Sequence, residues 1–202
     1  MTWLTWPPDS SIVGMIVWCI GLVLWIAIRW VPNRRSRRVK ISLASRSPSE
    51  RFSMIVSWMG LGGIPLIWIA TGWPSALDHA THPIIVLIGA VIFSISLRLF
   101  RLTHKALGIM WSHSLDLRED HKLVSTGIYE KVRHPMYTAF WMWALAQPFL
   151  LSNWLAGFSG IVGFGTLYFL RVGQEERMME ERFGQEYRDY SARTKRVIPG
   201  IY

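Results

Sequence analysis

Two short stretches of this chain carry the residue types that chemistry needs. The first is 123–137, where Gly127, Tyr129, Arg133, His134 and Tyr137 lead into an apolar segment that starts at Met136. Gly127 permits a turn, and Pro135 suits the first position of a helix. Arg133 and His134 then fall at a helix N-terminus, whose free N–H groups and partial positive charge suit a carboxylate or a phosphate. The same residues suit interfacial anchoring equally well, with Tyr137 in an aromatic belt. The second stretch holds Arg171, Glu175 and Glu176 at the end of another apolar run. Arg171 and Glu175 are four apart and share a helical face, but the Arg comes first, the less favourable order for a surface ion pair. An ionisable group set directly against an apolar run is better read as functional.

Other chemistries find little support. His104, His113, His121 and His134 are spaced by nine, eight and thirteen residues, which matches no zinc pattern, and no Cys lies near them. No metal is expected. No nucleophile elbow, phosphate loop or dinucleotide fingerprint is present. Trp141, Trp143 and Phe140 read as lipid-facing or helix-packing residues, and the single Cys19 as packing.

The elements that must position these groups are membrane helices. Of the 202 residues, 51% are apolar and 17% charged, against about 25% charged in soluble domains. The mean hydropathy is +0.25. The apolar residues come in blocks, each close to the roughly 20 residues that a bilayer core requires. Five spans are expected in an all-α single membrane domain, at about 12–28, 54–71, 84–100, 136–151 and 154–170. Ser152 and Asn153 alone separate the last two, which predicts a tight antiparallel hairpin.

The formal charge of +9 fits this organisation. All 22 Lys and Arg fall at or near the first, third and fifth junctions, and none lies in the N-terminal stretch or in the two intervening connections. The positive-inside rule then puts the N-terminus outside, with 29–51, 101–134 and 171–202 cytoplasmic. The run from Arg34 to Arg38 is a topology signal that can meet anionic headgroups. Basic residues that flank membrane spans, with no binding motif, argue against nucleic acid. The first apolar run lacks a positive n-region and reads as a retained anchor. A short irregular hairpin is expected around Glu119 and Asp120. Met179, Phe183, Tyr187 and Tyr190 predict an amphipathic helix that continues from the fifth span and stops at Pro199.

At both stretches the sequence resembles the isoprenylcysteine carboxyl methyltransferase family, within a wider group that includes phospholipid N-methyltransferases. The likeness rests on His121, Lys122, Leu123 and Val124, then Gly127, Ile128 and Tyr129, then Arg133, His134, Pro135, Met136 and Tyr137. It continues through Arg171, Glu175, Glu176, Phe183, Gly184, Tyr187 and Tyr190 to Arg196, Val197, Ile198 and Pro199. It covers about the C-terminal half.

The resemblance implies S-adenosylmethionine as methyl donor, bound on the cytoplasmic side and released as S-adenosylhomocysteine. The donor pocket would comprise His121, Lys122, Leu123, Val124, Tyr129, His134, Pro135, Met136, Tyr137 and Glu175, with Glu176 the adjacent candidate. Arg171 and Glu175 would be catalytic, Arg171 holding the acceptor's carboxylate. Some relatives carry an amide side chain where Ser114 stands. The partners would be membrane lipids and a lipophilic acceptor of isoprenylcysteine type. A phospholipid amine, a small thiol, or a non-catalytic scaffold or carrier of the same fold are the alternatives.

Overall fold

The computed structural model describes residues 9–36, 41–45, 48–108, 115–118 and 123–202, with side chains for 9–30, 48–108 and 123–202. Helix α1 spans Ser10–Ser36 and strand β1 spans Ile41–Ser45. Next come α2 (Pro48–Trp58), a wide π turn (Met59–Gly63) and α3 (Ile64–Thr71), which form one helical run. Helix α4 spans Pro83–Leu107, β2 Leu115–Arg118, α5 Pro135–Leu150, α6 Trp154–Phe183 and α7 Gln185–Arg193.

Among the described residues, four helical stretches are long and apolar enough to cross a membrane: Ser10–Trp30, Pro48–Thr71, Pro83–Leu107 and Trp154–Phe183. The expected fourth span corresponds to α5, which has 16 residues. At 1.5 Å per residue it is about 24 Å long, short of a core of about 30 Å.

Proline and glycine explain the helix boundaries. Pro83 and Pro135 open α4 and α5, where a missing N–H costs nothing. Pro65 removes a ladder hydrogen bond inside the second run, and the wide turn just before it absorbs the mismatch. The amphipathic helix after the last span is not continuous. Gly184 ends α6 at φ 54, a conformation that favours glycine, and α7 sets off in a new direction. Tyr187 and Tyr190 are thereby buried.

α1 packs on α4, α4 on α5, α5 on α6, and α6 on α2. The core between them holds Trp18, Phe93, Trp143, Leu150, Phe164 and Tyr168. α2 and α6 meet backbone to backbone, since Gly60 has the carbonyl of Ser159 and Cα of Gly163 against it. Gln147 Nε2 donates to the Gly60 and Ala156 carbonyls at 3.1 and 2.7 Å, and Ser159 Oγ donates to the Gly60 carbonyl at 2.7 Å. A Cβ on Gly163 would sit 2.7 Å from the Val56 carbonyl oxygen and 3.0 Å from Gly60 Cα. Gly163→Val is therefore expected to destabilise the protein by about 2 kcal/mol, as overpacking does, read as a lowered thermal midpoint in detergent. An unchanged midpoint would contradict this contact.

The turn between α5 and α6 is tight, as the sequence predicts. Asn153 Oδ1 caps α6 by accepting from Ala156 N at 3.0 Å. Its Nδ2 and Trp68 Nε1 both donate to Asp78 Oδ1, at 2.7 and 2.8 Å. This clamp ties α3, the α3–α4 connection and the α5–α6 turn together at one end of the bundle. At the other end β1 pairs antiparallel with β2, joining the first and second basic segments in a ribbon that the sequence reading lacked. The expected hairpin at Glu119 and Asp120 lies outside the described residues.

Candidate active site

The two chemistry-bearing stretches meet at the end of the bundle that carries the ribbon. The 132–134 segment lies along the chain's 195–197 segment. Arg133 N donates to the Lys195 carbonyl at 2.7 Å, and His134 N to the Arg196 carbonyl at 2.9 Å. Thr138 Oγ1 donates to the Val197 carbonyl at 2.8 Å. Tyr190 OH donates to the Tyr129 carbonyl at 2.6 Å, which seats α7 on the Gly127–Glu130 turn. Burial, reinforced by Glu175 and Tyr190, pushes the Tyr129 phenol well above its ordinary range, so it stays a neutral donor.

Glu175 and Glu176 part company here. Adjacent residues on a helix face about 100° apart. Glu176 Oε1 accepts from Arg133 Nε and Nη2 at 3.1 and 2.7 Å and from His134 Nε2 at 3.2 Å. Its Oε2 accepts from Arg196 Nε and Nη2 at 2.9 and 2.6 Å. This carboxylate is committed to two guanidinium groups and a ring, and it is not part of the cavity wall described below. The same contacts push Arg196 above its already high pKa. Glu175 points the other way. It accepts from Tyr137 OH through Oε2 and lies 4.0 Å from Arg171 Nε. The His134 and Tyr137 rings stack with centroids 5.3 Å apart.

A cavity of about 700 Å³ opens beside these groups. Arg29, Arg133, His134, Tyr137, Arg171 and Glu175 line its polar end. Its apolar arm runs between the helices past Trp25, Leu61, Phe100, Trp143, Phe164 and Leu167. Leu123, Val124, Tyr129, Pro135 and Met136 are also on its wall. Nine residues expected in the donor pocket or at the catalytic centre thus border one space, together with Arg133. His121, Lys122 and Ser114 lie outside the described residues. Among the described residues no group of three His, Cys, Asp or Glu could hold a metal ion.

Sequence reasoning missed Arg29, which closes the first span under the ring of Trp25 (4.9 Å) and lines the cavity. It also missed Glu50, whose Oε1 lies 3.8 Å from Arg171 Nη1. Both are ionisable groups at the edge of an apolar run, the same signal that picked out Arg171.

The comparison with known proteins bears on the same segment. Residues 85–181 match the model of the isoprenylcysteine carboxyl methyltransferase (ICMT) family. The likeness read from the residues therefore holds. Among curated proteins, the protein-S-isoprenylcysteine O-methyltransferase of Dictyostelium discoideum is 35% identical over 89 residues, 42% of this chain and 36% of that one. The Arabidopsis thaliana protein-S-isoprenylcysteine O-methyltransferase B is 30% identical over 96 residues, 46% of this chain and 49% of that one. The Saccharomyces cerevisiae protein-S-isoprenylcysteine O-methyltransferase is 34% identical over 96 residues, 46% of this chain and 40% of that one. The matched part thus spans less than half the length of each. The solved structure of the eukaryotic intramembrane Ras methyltransferase ICMT superposes with a TM-score of 0.52 at 22% identity, covering 79% of this chain and 55% of that one. That likeness concerns the fold. The ICMT match runs from α4 to near the end of α6, so α1, α2 and α3 lie outside it.

Proposed function

We propose that this chain is a five-span membrane methyltransferase that moves a methyl group from S-adenosylmethionine to the carboxylate of a lipophilic acceptor of isoprenylcysteine type. The observation that carries this reading is a cavity whose charged end continues into an apolar arm between membrane helices. A volume of about 700 Å³ suits a small-molecule site. The donor set also fits. Glu175 offers a carboxylate to a sulfonium or an ammonium, and the α5 N-terminus at Pro135, Met136 and Tyr137 suits a carboxylate. His134, Tyr129, Leu123 and Val124 complete that wall, with His121 and Lys122 adjoining it in sequence.

The bound donor supplies an electrophilic methyl group on positive sulfur. The acceptor's carboxylate is already ionised near pH 7 and asks no general base of the protein. Arg171 holds that carboxylate, bidentate contact being the natural mode of a guanidinium. Tyr137 fixes the Glu175 carboxylate, so the cation-binding side does not drift. The aromatic arm takes the acceptor's tail and keeps water from the reacting atoms. Catalysis then comes from orienting two reactants in line. The O–C bond forms as the S–C bond breaks, leaving a methyl ester and S-adenosylhomocysteine. The positive-inside rule places this end in the cytoplasm, where the donor is.

Calorimetric titration of the detergent-purified protein with S-adenosylhomocysteine tests the reading. Wild type is expected to bind. Glu175→Ala and His134→Ala are expected to weaken binding by roughly 30-fold or more, the loss of one charged contact. No binding by folded wild type, with or without a prenylcysteine analogue in the cell, would refute it in favour of a scaffold or carrier.

A further inference from the structure

We propose that Glu50, on a helix outside the family-matched segment, is a positioning residue that holds the Arg171 guanidinium at the cavity. Glu50 stands in the first turn of α2 and is only 7% exposed. A carboxylate so nearly removed from water needs a charged partner, and its Oε1 lies 3.8 Å from Arg171 Nη1. Arg171 sits between two carboxylates, with Glu175 Oε2 4.0 Å from its Nε. The Glu175 contact is an i,i+4 pair in the unfavourable order, so it orients the guanidinium poorly by itself. Glu50 reaches Arg171 from a different helix and restrains it in a second direction.

The backbone explains why the two meet. α2 and α6 run antiparallel and touch where Gly163 meets Val56 and, in the π turn that continues α2, Gly60. Glu50 lies ten residues from that contact, about 15 Å along α2, and Arg171 eight residues, about 12 Å along α6. The close approach at the glycines therefore sets the spacing at the charged end. Ser53 Oγ donates to the Glu50 carbonyl at 2.9 Å and stiffens the turn that presents it. With Arg171 held, an incoming acceptor meets a guanidinium already aimed at the cavity. This part of the inference rests on the methyltransferase reading.

Two measurements test it. The first needs no turnover. Phenylglyoxal modifies exposed arginine side chains, and mass spectrometry reads each site. Arg171 in Glu50→Gln is expected to react at least about fivefold faster than in wild type, while Arg196, paired with Glu176 at 2.6 Å, keeps its rate. An unchanged Arg171 rate, or an equal rise at Arg196, would overturn the proposal. The second is kinetic. Glu50→Gln is expected to raise the acceptor KM about tenfold with kcat and S-adenosylhomocysteine affinity within about twofold, and Glu50→Asp to restore part of it. In an Arg171→Ala background the same change is expected to add less than about twofold, because Glu50 acts through Arg171. Equal effects in both backgrounds would also overturn it. Should wild type methylate no acceptor, the methyltransferase reading fails, and the labelling rates still decide whether Glu50 holds Arg171.

Discussion

Replacing Arg171 with alanine is expected to lower kcat/KM for a carboxylate acceptor about a thousandfold while leaving S-adenosylhomocysteine affinity within about threefold. Removing one partner of a buried charge pair costs about 2–5 kcal/mol, and each tenfold is about 1.4 kcal/mol. Arg171 has 12% of its side chain exposed, and its two carboxylate neighbours come from α2 and from its own helix. The selectivity of the loss is the informative part. The donor would be held by Glu175 and by the α5 N-terminus, neither of which depends on Arg171 for its backbone. Arg171→Lys is expected to recover only part of the activity, because an ammonium lacks the planar fork. Steady-state kinetics with a prenylcysteine analogue, paired with calorimetry, reads both quantities. Equal losses in donor binding and acceptor use would remove Arg171 from acceptor binding.

The second large effect concerns Glu176 and is one of stability. Its side chain is 14% exposed, and its two oxygens accept from Arg133, His134 and Arg196. Glu176→Ala leaves two guanidinium groups facing each other without their counter-charge. Breaking such a pair costs about 3–5 kcal/mol, which for a chain of this size lowers the thermal midpoint by about 10 °C. Glu176→Gln retains an acceptor oxygen and is expected to lose less. The segment from Lys195 to Val197 should also become more open to protease, since Arg196 loses its anchor. Glu175→Ala is expected to keep a near-native midpoint and lose donor affinity. Circular dichroism melts of the two alanine variants side by side separate these roles. A Glu176→Ala protein as stable as wild type would show that the arginine cluster does not need it.

The features legible in the sequence were those written in composition. Blocks of apolar residues mark the helices, and the basic residues gather at alternate junctions. The boundaries were harder. α2 begins at Pro48, six residues before its apolar block, because Ser49, Glu50 and Arg51 are polar residues within a helix that buries Glu50 against α6. The break at Gly184 carried a local signal, a glycine at a helix end, but the spacing of the aromatic residues on either side concealed it. Strands β1 and β2 pair four or five residues across a long sequence separation, so neither segment announces the other. At the site, residue type and spacing led to Arg171 and left His134 open between a site and an anchor, and the family resemblance added Tyr137. Choosing between Glu175 and Glu176 required the rotation of α6 to well within 100°, and only the observed partners of each carboxylate supply that.

The cavity wall is a composite of two kinds of chain. Its charged end comes mostly from the segment that matches the ICMT model, whereas much of its apolar arm comes from α1, α2 and α3, which do not. The two halves can therefore evolve under separate pressures. Drift at Leu61 or Leu66 would reshape the apolar arm and leave the charged end as it is. Likeness measured over 85–181 therefore describes the charged end of the cavity better than its apolar arm. Two chains alike over that segment can present differently shaped apolar arms, and the helices before residue 72 are where such a difference would be written.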